Sequence, residues 1–257
     1  MPVIHFIVSQ LKEAGIEEVL IVVGRNKEIL ENYFDRNVEV EERLVQTGKA
    51  ELLKVATSPH KIINISFVRQ IDAKGTGYAA ALAKNFVAGE PFMLMYGDEV
   101  MFGGVSCAKQ LIKAYNNCYE DAASVIAVCK VPRQQVSSYG IVAFEKTKGK
   151  LVKMTGIVEK PKISEAPSSY SYIGPAILNN EIFDEIAKIK VQPGEEIGIT
   201  SAYDSLAKKG KMCALMVKGK RFDVGSPLGL IKANVYAASK DKKLKKELAL
   251  FLLSLYK

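Results

Sequence analysis

Four short apolar runs, each closed by glycine or charge, constrain the fold of this chain most strongly: "EEVLIVVG", "KIINISFVR", "PFMLMYGDE" and "ASVIAVCKV". Each is of strand length, and each is apolar on both alternating faces, the pattern of a strand covered by helices on both sides. Helical stretches fill the gaps between them. "RNKEILENYF" is amphipathic, "GYAAALAKNF" is alanine-rich enough to pack closely, and "SCAKQLIKAYNN" offers Ser106 as an N-cap. Ahead of the first run, Ile4, Ile7, Val8 and Leu11 fall on one helical face, Pro2 sits at the start, and Gly15 marks the stop. Strand and helix in alternation predict an α/β fold: a Rossmann-like mixed, mainly parallel sheet flanked by helices.

The rhythm changes in the second half. "YGIVAFE", "GKLVKMTGIVEKP" and "SYSYIGPAIL" are strands with little helix between them, which predicts antiparallel pairing beside the parallel core. No linker or repeat divides the chain, so residues 1–257 are expected to form a single domain. Two segments stand apart within it: a charged helical insertion over 36–60 and a pair of C-terminal helices over 226–257.

Composition excludes several functions. No apolar run approaches the roughly 18–20 residues that span a bilayer, and the start lacks the basic and small-residue pattern of a signal peptide. The expectation is a cytoplasmic protein with no membrane partner. Cys107, Cys118, Cys129 and Cys213 form no C-x-x-C pair and, with only His5 and His60 beside them, no zinc set or nucleophilic pair. The net charge of +8 is concentrated late, in "KKGK" and "KDKKLKKELALFLLSLYK". It reads as a solvated lysine face, because no nucleic-acid-binding motif accompanies it.

In doubly wound sheets ligands bind at the carboxyl ends of the strands. There the chain presents "GRNK", "RQIDAKGTGYA", "YGDE", "SSYG", "VEKPK" and "KRFDVGS". Gly75 and Gly77 form a turn opening a helix, where backbone can approach a base or phosphate and helix N–H groups stand free. Asp98 and Asp223 are carboxylates at separate strand ends that could share one metal ion, if the strands are neighbours. Glu159 and Lys160 are adjacent before Pro161. On an extended strand they would point to opposite sides, with the carboxylate suited to sugar hydroxyls and the ammonium to a phosphate.

In this order and spacing, "RQ…AKGTGYA", "GDE", "GIVEKPK…AP" and "KRFDVGS" resemble the sugar-phosphate nucleotidyltransferase family. Within it they are most similar to the bacterial UTP–glucose-1-phosphate uridylyltransferases, and the likeness runs over essentially the whole chain. The resemblance implies that Gln70 and Gly75 contact uracil and that Gly140 makes a backbone contact to the sugar. It also implies that Glu159 holds sugar hydroxyls, that Lys160 binds the sugar phosphate, and that Asp98 and Asp223 hold Mg2+. The implied substrates are UTP and glucose 1-phosphate, the implied assembly a homo-oligomer, and nucleic acid has no part. Family members begin with a strand and a G-x-G-T-R loop around the triphosphate. Nothing here matches that loop, so the resemblance implies that a segment on the order of 30 residues is absent, with sheet edges left open and weak UTP turnover. Two further readings are open: a non-catalytic sugar-phosphate-binding paralogue or regulatory subunit, and a thymidylyl- or guanylyltransferase of the same superfamily.

Overall fold

The computed structural model describes residues 1–118, 123–145, 149–192 and 194–255; the last two residues of the expected C-terminal helical segment lie outside the described residues. Helix α1 (Val3–Glu13) enters strand β1 (Glu18–Val23) through Gly15, whose φ of +90° suits glycine alone. The Gly15 and Ile16 N–H groups donate to the Lys12 and Leu11 carbonyls, closing the helix end. Helices α2 (Glu28–Phe34), α3 (Val38–Gln46) and α4 (Ala50–Thr57) follow, then β2 (Asn64–Arg69), which runs parallel to β1. Helix α3 buries no residue, as its charge pattern leads one to expect.

Next come α5 (Thr76–Ala81), α6 (Lys84–Val87), β3 (Phe92–Leu94), β4 (Glu99–Phe102), α7 (Cys107–Asn117) and β5 (Ser124–Lys130). The "GYAAALAKNF" stretch is therefore two short helices, and "PFMLMYGDE" is two strands joined by a turn that carries Asp98. Ser106 caps α7 as expected, its hydroxyl accepting the Lys109 N–H at 3.2 Å. Strands β6 (Gly140–Phe144), β7 (Leu151–Glu159) and β8 (Tyr170–Leu178) form the antiparallel group. Helices α8 (Glu181–Ala187) and α9 (Ile199–Lys208), strands β9 (Met212–Met216) and β10 (Lys220–Asp223), and helices α10 (Pro227–Lys240) and α11 (Leu244–Ser254) complete the chain.

The largest sheet has six strands in the order β3-β8-β5-β9-β7-β6, with a further β6–β8 pairing. The expected mixed α/β architecture is present, but its proportions differ from expectation. Among the described strands only β1–β2 and β5–β9 pair in parallel, because the β6–β7–β8 group and the β4–β10 ribbon are antiparallel. Strand β5 shows why these runs are apolar throughout. Ile126 and Val128 face a core with Ile182, Tyr203 and Met212, while Val125 and Ala127 face a second core with Leu111 and Ala114. All four of these β5 residues are fully buried, and helices cover both faces. Burying a side chain such as Leu111 contributes about 1.5–3 kcal/mol.

Helix α1 lies between two further cores. Ile7 and Leu11 pack with Val100 and Phe222, and Val8 packs with Ile21, Val23 and Phe34. Among the described residues no helix is long and apolar enough to cross a membrane.

Candidate active site

The β4–β10 ribbon brings two of the expected residues together. Its register pairs Asp223 with Glu99, and the Val224 N–H donates to the Asp98 carbonyl at 2.8 Å. Both carboxylates converge on Gly225. A Cβ there would lie 3.1 Å from Asp98 Oδ2 and 3.2 Å from Asp223 Oδ1, so any larger residue would crowd the space they share. The Asp223 carboxylate also accepts the Gly225 N–H at 3.0 Å. The ribbon is fixed from behind by Phe102, Phe222 and Tyr236, whose rings lie 5.3–5.7 Å apart.

A second pair comes from β6 and β7. Gly140 is the register partner of Glu159, and a Cβ on Gly140 would stand 3.0 Å from Glu159 Oε2. Glycine there leaves room for the carboxylate. Lys160 departs from the expected geometry. It lies outside β7 with φ +45°, and its N–H donates to the Tyr139 carbonyl at 3.0 Å. Strand alternation therefore does not set its direction. A left-handed non-glycine residue costs roughly 1–2 kcal/mol, and such cost concentrates at sites of function.

Gly75 and Gly77 also pack closely against the chain itself. Gly75 has φ +99°, and a Cβ on it would lie 2.8 Å from the Ile197 carbonyl oxygen. The Ile197 N–H donates to Lys74 O at 2.7 Å, and the Gly77 N–H donates to Ile197 O at 2.8 Å. The side of each glycine where a Cβ would stand thus meets the chain's own 196–198 segment, and the Gly77 N–H at the start of α5 is paired with Ile197 O. Gln70 ends the β1–β2 ladder, its N–H donating to Val23 O at 2.8 Å, on the loop that leads to Gly75.

Sequence reasoning missed the groups that join these parts. Arg221 on β10 and Glu99 on β4 form a two-pronged ion pair across the ribbon, with Nε to Oε2 at 2.7 Å. Both side chains are largely shielded, at 17% and 13% exposure. Burial opposes the Arg221 charge, but hydrogen bonding and attraction to Glu99 outweigh it and raise its pKa. Burial pushes Glu99 upward, Arg221 opposes this, and Asp223 and Asp98 add to the rise. Arg221 also lies over the Tyr139 ring at 5.2 Å, next to Gly140. The ion pair therefore runs from the Asp98–Asp223 side to the Gly140–Glu159 side. Opposite charges in "GDE" and "KRFD" were the available signal.

Tyr96 is the other missed residue. Its hydroxyl pKa is raised by burial first, with the Glu159 and Asp98 charges adding to the rise.

Residues 1–240 match the nucleotidyl transferase family. The chain belongs to it. UTP–glucose-1-phosphate uridylyltransferase 2 of Streptococcus pyogenes serotype M3 is 40% identical over 259 aligned positions, covering 100% of this chain and 86% of the relative. A UTP-bound UGPase from Acinetobacter baumannii superposes with TM-score 0.88 at 32% identity, covering 99% of this chain and 88% of that one. A UDP-glucose pyrophosphorylase complexed with UDP-glucose gives TM-score 0.81 at 33% identity, over 93% and 88% of the two chains. For a nucleotidyl transferase the described site has suitable parts: paired carboxylates, a carboxylate–lysine step at a strand end, and a glycine turn. Burial pushes the Cys107 thiol up to about 12, so it offers no ready thiolate.

Proposed function

We propose that this nucleotidyl transferase joins UTP and glucose 1-phosphate to give UDP-glucose and pyrophosphate. The convergence of Asp98 and Asp223 on Gly225, tied through Arg221 and Tyr139 to the Gly140–Glu159 strand pair, carries this reading. A phosphate oxygen of glucose 1-phosphate attacks the α-phosphorus of UTP. A new O–P bond forms, the bond to the β-phosphate oxygen breaks, and pyrophosphate leaves. No side chain becomes covalently attached.

Glu159 accepts hydrogen bonds from sugar hydroxyls and Lys160 neutralises the sugar phosphate; Gly140 gives the sugar room beside them. Gln70 and the Gly75 turn hold the uracil. Two carboxylates are a donor set that fits Mg2+, which takes one or two protein oxygens and fills its remaining positions with phosphates and water. Asp98 and Asp223 would hold the ion, which supplies charge neutralisation at the phosphates. The protein contributes positioning and electrostatic stabilisation, the main resources in phosphoryl transfer.

The same reading takes residues 1–257 as one transferase domain, with an insertion over 36–60 and C-terminal helices over 226–257. It also takes the enzyme as cytoplasmic. Exposed Leu228, Ile231, Leu250 and Phe251 on α10 and α11 support a homo-oligomer, which light scattering on the purified chain tests.

The deciding experiment incubates the purified chain with Mg2+, each sugar 1-phosphate in turn, and UTP, dTTP or GTP. Release of pyrophosphate and formation of nucleotide sugar are followed. UDP-glucose as the fastest product is expected. Faster use of dTTP or GTP supports the other transferases. Binding of glucose 1-phosphate without turnover supports the non-catalytic binder.

A further inference from the structure

Arg221 and Asp223 stand two apart on β10, so they share one face of the ribbon, and Glu99 is the direct cross-strand partner of Asp223. The Arg221 guanidinium is held there by both oxygens of Glu99, through Nε at 2.7 Å and through Nη2. Two parallel contacts fix the plane of a guanidinium as well as its position, which a lysine ammonium cannot reproduce. The guanidinium carbon stands over the Tyr139 ring, 5.2 Å from its centre.

Tyr139 belongs to the other half of the site. It follows the 3-10 turn Arg133–Ser138, and its N–H donates to the Val136 carbonyl at 3.2 Å. This segment grips the end of β7 twice. The Ser137 hydroxyl donates to the Pro161 carbonyl at 2.8 Å, and the Lys160 N–H donates to the Tyr139 carbonyl at 3.0 Å. Lys160 is the residue whose φ of +45° persists only with support from its surroundings. Gly140, next to Tyr139, opens β6 opposite Glu159. Among the described residues no strand pairing joins the β4–β10 ribbon to the six-stranded sheet that holds β6 and β7, so the backbone ladders do not set the spacing between the two halves. The Arg221 side chain spans that break, with Glu99 on one side and Tyr139 on the other.

We propose that Arg221 is a positioning residue for the transfer step: through Tyr139 it fixes the distance between the Asp98–Asp223 carboxylates, assigned to Mg2+ at the nucleotide phosphates, and the Gly140, Glu159 and Lys160 subsite, assigned to glucose 1-phosphate. This rests on the uridylyltransferase reading above. The Arg221 charge is taken up by Glu99, so its loss falls on the alignment of the two substrates rather than on the binding of either. Arg221→Lys keeps the charge and loses the fork. Its kcat at saturating substrates should fall about ten-fold or more, with the KM for UTP and for glucose 1-phosphate each within about three-fold of wild type. Tyr139→Leu removes the ring and leaves the ion pair, and kcat should fall about two- to five-fold, the size of one cation–ring contact near the surface. Tyr139→Phe keeps the ring and should retain wild-type kcat. In the Arg221→Lys background, Tyr139→Leu should cost less than about two-fold more, because the contact is already lost. Arg221→Met combined with Glu99→Leu should regain Tm and still turn over about ten-fold slower or worse. A return of that double variant to wild-type kcat along with its Tm overturns the proposal, since Arg221 then serves stability alone. Fully additive losses at Arg221 and Tyr139 overturn it too. A wild-type chain that makes no UDP-glucose overturns the underlying reading, and this inference with it; a wild type that makes it while Arg221→Lys keeps full kcat overturns only the inference.

Discussion

Gly174→Ala tests the physical account of the site most sharply. Two costs meet at this position. With φ at +104°, an L side chain is strained by roughly 1–2 kcal/mol. The new methyl would also lie 2.9 Å from the Tyr96 ring and 3.4 Å from Glu99 Cγ, and overpacking of this kind costs about 1–3 kcal/mol. The sum is roughly 2–5 kcal/mol, which for a domain of this size lowers Tm by roughly 5–15 °C. Gly15→Ala separates the two costs. Gly15 has φ +90° with nothing within 4 Å of its would-be Cβ, so strain acts there alone. That variant should lose only about 1–2 kcal/mol and keep full activity. Differential scanning fluorimetry gives the Tm of both, and steady-state assays below the transition give kcat/KM. For Gly174→Ala we expect kcat/KM to fall about ten-fold or more, because the clash displaces the segment that carries Asp98. A Gly174→Ala Tm within 1 °C of wild type, or equal losses in the two variants, would refute the claim that the absence of a side chain at Gly174 seats the Tyr96 ring.

Asp98→Asn and Asp223→Asn should each lower kcat at saturating Mg2+ by about 100-fold or more, with Tm little changed, as read in a pyrophosphate-release assay. Lys160→Ala should raise the KM for glucose 1-phosphate about 10- to 100-fold and leave that for UTP nearly constant, since it removes one charged contact to one substrate. Arg221→Met should cost roughly 2–4 kcal/mol in urea unfolding, because it strands the shielded Glu99 beside Asp98 and Asp223; adding Glu99→Leu should recover most of the loss. The Glu185 carboxyl is held down at about 2, first by Lys188, then by Lys209 and Ser205. Its folded value lies below the ordinary 4.5, so its stabilising contribution is present above that pH and is lost as pH falls toward 2. The Tm advantage of wild type over Glu185→Gln should therefore shrink across that interval.

Much of the fold was legible because strand and helix periods are local. The apolar β5 run needed cover on both faces, and α7 on one side and α8 and α9 on the other supply it. Ser106 and Gly15 mark helix ends through chemistry confined to a few residues. Strand direction was not local. The antiparallel β4–β10 ribbon joins residues far apart in the chain, and no feature of "GDEVMF" alone announces its partner.

The same divide runs through the site. Residue type nominated Asp98, Asp223 and Glu159 one at a time, since each is a carboxylate at a strand end. What sequence could not give is the spacing between them, because that spacing is set by residues whose types suggest other roles. Gly174 and Pro175 look like interruptions of a strand, yet they form the bulge beside Tyr96. Arg221 looks like surface charge, yet it ties the carboxylate end of the site to Tyr139. Gly75 and Gly77 looked like a ligand cradle alone, yet residues 196–198 also pack against their open backbone. Substitutions in these positioning residues should therefore alter how two substrates meet more than how well either fits. Separate KM values for UTP and glucose 1-phosphate across Gly174 and Arg221 variants would expose that distinction.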